Sequence, residues 1–185
     1  MTDTRQTAIT NKTRHWLEEI VIGLALCPFA QRVIDQGSLR YCVSLARDTE
    51  TLTEQLLSEI ELLDQNPEIE TTLLIHPQVL ADFASYLDYV DTANAILTHL
   101  NYEGVYQIAS FHPAYIFADS DDSDPANYSN RSPYPMLHLL RESSLEVAIA
   151  SHTDIDAVPE QNVARLRQLG LDVIKQLANG KHSAV

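Results

Sequence analysis

The sequence predicts an α/β domain with a small, mostly parallel central sheet of three to four strands and helices on its faces. Three observations point there. Leu39 to Ala46, Thr71 to Ile75 and Val105 to Phe111 have strand character, and segments of helical periodicity separate them. A strand–helix–strand–helix–strand order calls for crossover connections, which set neighbouring strands parallel. The middle run, TTLLI, is β-branched and apolar, as befits a strand covered on both faces. A ferredoxin-like α+β sandwich is the alternative, reached if Ala114 to Ala118 adds a strand antiparallel to the third.

Each element has its own signal. Trp16, Leu17, Ile20, Val21 and Leu24 form the apolar face of a helix from Arg14 to Leu26, which Pro28 stops. In the first strand Tyr41, Val43 and Leu45 alternate with Arg40, Cys42 and Ser44. Thr51 and Glu54 have the spacing of a capping box, and Leu52, Leu56, Ile60 and Leu63 give the next helix its stripe until Asn66 and Pro67. Val79, Phe83, Leu87, Val90 and Leu97 predict a longer helix from Gln78 to Leu100. Further helices are expected over Pro133 to Glu142, Ser144 to Ala150 and Pro159 to Ala178.

Size and charge bound the function. The 185 residues suit one domain over residues 1–185, with 1–12 a flexible tail and 119–126 a mobile acidic loop. The net charge of −14 repels nucleic acid and anionic membranes, so neither is expected as a partner. MTDTRQTAITNK lacks the apolar stretch of an export signal, and Ile20 to Ala30 is too short to span a bilayer. Cys27 and Cys42 do not make a disulfide framework. A cytoplasmic location is the expectation.

In open sheets ligands bind outside the carboxyl ends of the strands. Two strands end in the same dipeptide there, His76-Pro77 and His112-Pro113, which proposes the two imidazoles as acid/base groups. The plain alternative is that each satisfies backbone carbonyls. Cys27, in LCPFA, is a candidate nucleophile, although the carboxyl end of a helix disfavours a thiolate. The expected helix after Ser132 would offer free amides to an anion, with Arg131 beside it and Asn127, Tyr128 and Asn130 adding hydrogen bonds. A small anionic metabolite is the matching ligand. The alternative is a structural loop in which Arg131 pairs with the acidic patch. His138, Arg141 and Glu142 would share a helix face, and His138 joins His76, His112 and Cys27 as a possible metal-ligand set. Asp119, Asp121, Asp122 and Asp124 lack the glycine and distal glutamate of a calcium loop. With 5 glycines the chain has no nucleotide or dinucleotide fingerprint and no nucleophile elbow, so no cofactor is assigned.

The blocks LCPFA, TTLLIHP, FHP with Tyr115 and Phe117, and SNRSPYPMLHLLRE resemble the family known as domain of unknown function 1415. The resemblance runs from the first helix to the last. It implies one small domain and supplies no catalytic roles. Three functions therefore stand as expectations: an enzyme on an anionic metabolite, a metal-binding protein, and a non-enzymatic binding or assembly module.

Overall fold

The computed structural model describes residues 2–150 and 154–180. Helix α1 (Thr2–Trp16) continues into a π-helical turn, Leu17–Ile22. Residues 2–12, expected as a flexible tail, are therefore helical. Ile9 is the one large apolar residue of TDTRQTAITNK, and it is buried. Gln6 Nε2 donates to the Val43 carbonyl at 3.3 Å, which ties the helix to the sheet. A Cβ at Gly23 would lie 2.5 Å from the Glu19 carbonyl, so the widened turn ends at a residue only glycine can fill.

The chain then forms α2 (Ala30–Asp35), β1 (Leu39–Val43), α3 (Thr49–Gln65), β2 (Thr71–Ile75), α4 (Phe83–His99) and β3 (Tyr106–Phe111). A 3-10 turn at Pro125–Ser129 leads to β4 (Met136–Arg141) and α5 (Glu142–Ala150), then α6 (Val158–Leu169) and α7 (Leu171–Ala178). The cap of α3 is Asp48, whose carboxylate accepts from Thr51 N at 2.8 Å; Thr51 is not the cap itself. Asp82 caps α4 in the same way, accepting from Ser85 N at 2.9 Å, so this helix starts later than Gln78. Gly170, at φ 79°, divides the last expected helix into α6 and α7. Ala114 to Ala118 forms turns and no strand.

The sheet order is β1-β2-β4-β3. β1 and β2 are parallel, and β4 is antiparallel to both β2 and β3. The sheet is thus mixed, not mostly parallel, and the order β-α-β-α-β-β also departs from the ferredoxin-like pattern. The difference lies in Met136–Arg141, which is a strand where a helix is expected. MLHLL is a short apolar run buried on both faces, and periodicity does not separate helix from strand in such a run. Pro133 and Pro135 precede a strand instead of opening a helix. The Pro135 carbonyl accepts from His76 N at 3.0 Å, next to the last rung of the β2–β4 ladder.

Helices α3 and α4 cover one face, with Leu52, Leu56, Ile60, Tyr86 and Leu97 packed on Leu74, Leu137 and Leu139. α1, the π turn, α2, α6 and α7 cover the other, packing Trp16, Ile20, Leu166 and Ile174 against Leu73, Ile75 and Met136. All five residues of β2 are buried, as the TTLLI composition requires. Among the described residues no helix is long and apolar enough to cross a membrane.

Candidate functional site

His76 and His112 do meet at one edge of the sheet, through Tyr86. The Tyr86 ring centroid lies 5.9 Å from that of His76 and 4.9 Å from that of His112. Tyr86 is fully buried; its hydroxyl donates to the Met136 carbonyl at 2.8 Å and accepts from Phe111 N at 2.9 Å. Backbone groups take both ring nitrogens of His112 and Nδ1 of His76, whose Nε2 is buried without a partner among the described residues. His76 Nδ1 donates to the Val79 carbonyl at 3.2 Å. His112 Nδ1 accepts from Ala114 N at 3.0 Å, so its Nε2–H donates to the Leu80 carbonyl at 3.1 Å. Leu80 has φ 59°, a conformation uncommon for leucine, and the two imidazoles hold the segment that contains it. His76 is 0% and His112 1% exposed. Burial pushes the His76 pKa down to about 4 and lowers that of His112, so both rings are neutral near pH 7.

The residues read as an anion site hold the loop after β3 together. No helix begins at Ser132, so the expected amides and dipole are absent; its hydroxyl donates to the Tyr134 carbonyl at 2.6 Å. Arg131 donates from Nε to the Tyr115 carbonyl at 2.9 Å, reaches Asp122 Oδ1 at 2.7 Å and lies over the Tyr128 ring. Asn127, fully buried, accepts from Phe117 N and Ser120 Oγ and donates to the Asp121 carbonyl. Asn130 Nδ2 donates to the Ser110 carbonyl at 3.1 Å. With the Arg167–Asp124 pair at 2.7 Å, these bonds fasten the acidic segment read as mobile.

An apolar opening toward the core lies elsewhere, on the face of the sheet under the N-terminal helices. It is a cavity of about 210 Å³. Leu73, Ala109, Phe111, His138 and Leu140 supply strand residues to its floor, and Trp16, Leu17, Val21, Cys27 and Phe29 stand in its walls. The register explains the hollow. Leu73, His138 and Ala109 are direct partners across β2, β4 and β3, and Ala109 is the small member of that row. α5 adds Ser144, Leu145 and Ala148 to the rim. The loop carrying Cys27 is held from outside, because Arg165 donates to the Leu24 carbonyl and Asn162 Nδ2 donates to the Leu26 carbonyl. Arg32 and Glu70, also at the rim, pair with each other at 2.5 Å and cancel their charges.

His138 is the polar group of the floor. Thr71 Oγ1 lies 2.6 Å from the Leu139 carbonyl and 2.6 Å from His138 Nε2. Only the hydroxyl has a hydrogen to place between the two oxygens, so Thr71 donates to Leu139. His138 Nε2–H must then donate to Thr71. Desolvation holds the His138 pKa down at about 4, so the ring is neutral and its Nδ1 carries a lone pair. Nδ1 has no protein partner among the described residues. Nor is it one of the buried polar atoms left unpaired, which include His76 Nε2 and Trp16 Nε1, so it opens on accessible space. His138 is a strand residue facing this cavity; it does not share a helix face with Arg141 and Glu142.

The candidate residues therefore divide between two faces. His76 and His112 lie on the α4 side, while Cys27 and His138 line the cavity on the other. Among the described residues no three His, Cys, Asp or Glu side chains are grouped to hold a metal ion. Cys42 is inert: burial pushes its thiol up to about 12.

A family model described as protein of unknown function, DUF1415, matches residues 8–176. The chain belongs to this family. The match spans α1 to α7, so the sheet, the edge histidines and the cavity all fall inside the family's domain. No curated protein and no solved structure matches the chain. Of the cavity residues, sequence reading reached Cys27 and His138 and missed Thr71, Ala109 and Trp16 as site residues. The available signal was the small Ala109 between Gln107 and Phe111, the alternate residues on its face of the strand YQIASF.

Proposed function

We propose that the protein binds a small, largely apolar molecule in the cavity above Leu73, His138 and Ala109. The observation that carries this reading is the hollow itself, left on a doubly covered sheet where close packing is the rule. Its volume exceeds the ~150 Å³ of an apolar cavity known to take one benzene ring. The earlier alternatives have less behind them. An anionic metabolite lacks a free cation at Arg131, which is committed to Asp122 and Tyr115. The edge histidines, sealed and bonded to backbone, suit a structural part better than acid/base work.

Toluene at millimolar concentration is expected to raise the melting temperature of the wild-type protein, because a ligand bound only by the folded state stabilises it. Ala109→Leu fills the floor and should abolish that rise while leaving the protein folded. A wild-type melting curve indifferent to both toluene and phenol, or an equal rise in Ala109→Leu, would overturn the reading.

A further inference from the structure

We infer that the ligand is a neutral aromatic molecule carrying one hydrogen-bond donor, of the phenol class, and that His138 Nδ1 accepts that hydrogen. The inference rests on the cavity reading above and adds the chemistry of its occupant.

Three observations lead to it. The first is directional. The Leu139 carbonyl fixes the Thr71 proton, and the Thr71 oxygen fixes the His138 proton on Nε2. This leaves a lone pair, and no proton, on the ring nitrogen that has no partner among the described residues. An acceptor in an apolar recess selects a donor, since a ligand without one leaves it unsatisfied. The second is shape. Trp16, Phe29 and Phe111 stand around the recess, with Trp16 and Phe111 edge to face at 5.4 Å and Phe111 and His138 at 6.0 Å. Rings pack on such walls by stacked or edge contacts.

The third is charge. The rim pair Arg32–Glu70 is mutually neutralised. The Arg141 guanidinium is directed to the carbonyls of Leu63, Asn66 and Ile69 and to Tyr106 Oη. Among the described residues no unpaired cation remains at the rim for a carboxylate, and burying one there without a partner is costly.

Calorimetric titration with phenol, anisole, toluene and benzoate separates the parts. Wild-type protein is expected to bind phenol about tenfold more tightly than toluene or anisole, the value of one well-placed hydrogen bond. Benzoate should bind more weakly than toluene. His138→Phe should keep toluene binding and lose the phenol preference. Equal affinity for phenol, anisole and toluene would sink this inference while leaving the cavity reading intact. Failure of all four to bind would sink both. If His138→Phe does not fold, the nitrogen chemical shifts of wild-type His138 decide. A protonated Nε2, with a bare Nδ1 whose resonance moves on adding phenol, is the expected result. A protonated Nδ1, or no movement, would overturn the assignment.

Discussion

Lowering the pH from 7 to 4.5 is expected to destabilise the fold by on the order of 5 kcal/mol through His76 and His138. Both rings are neutral in the fold, His76 fully buried and His138 on the cavity floor, and desolvation holds each pKa at about 4, against about 6.5 when unfolded. The sign follows from proton binding. Between pH 6.5 and 4 the unfolded chain takes up protons that the native rings refuse, so stability is complete above about 6.5 and is lost as pH falls toward 4. Carboxylates that the fold holds below their usual range, such as Asp64 beside Tyr102 and Tyr106, act at lower pH and leave this window to the histidines. Urea unfolding at pH 7, 5.5 and 4.5 tests it, and a flat profile would contradict the burial of both rings. His76→Asn should remove about half of the pH dependence.

Replacing Arg141 with alanine is expected to cost about 3 kcal/mol, since hydrogen bonds to a charged group contribute ~1.5–3 kcal/mol each and part of that is regained from water. The guanidinium closes the end of α3. It donates to the Leu63 and Asn66 carbonyls at the helix end, to the Ile69 carbonyl before β2, and to Tyr106 Oη. Tyr106 in turn donates to Asp64 Oδ1 at 2.7 Å. One side chain from β4 thus joins α3, the start of β2 and β3. A positive charge there also opposes the negative end of the helix dipole. Chemical denaturation of Arg141→Ala against Arg141→Lys measures the effect. Lysine should recover only part, because it cannot reach four acceptors as a planar fork does. A loss below about 1 kcal/mol, the level of an exposed pair, would show that the network is solvated.

Sequence periodicity located β2 to the residue and found β1, α3, α4 and β3 with shifts at their ends. It failed where two structures share one pattern. MLHLL satisfies a buried strand and a helical stretch alike, and only the gap between β2 and β3 decides for the strand. That single reversal changed the sheet from mostly parallel to mixed, removed the helix end expected at Ser132, and moved His138 from a helix surface to the cavity floor. The polar helix α1 was illegible for a different reason: its attachment rests on Ile9 and on a side-chain bond to Val43, both of which require the sheet to be present first. The repeated His-Pro ending made legible that His76 and His112 end strands at one edge of the sheet, but not that their rings come together. Their shared partner Tyr86 was illegible, since nothing in the periodicity of α4 singles out that residue of its first turn.

Amide-resolved NMR titration of the wild-type protein with phenol measures directly where a ring-shaped ligand binds. The expected outcome is that the largest shift changes fall on Cys27, Phe29, Ala109 and His138, with His76, His112 and Arg131 unmoved. Changes centred on His76, His112 and Arg131, or none at any of these positions, would contradict it.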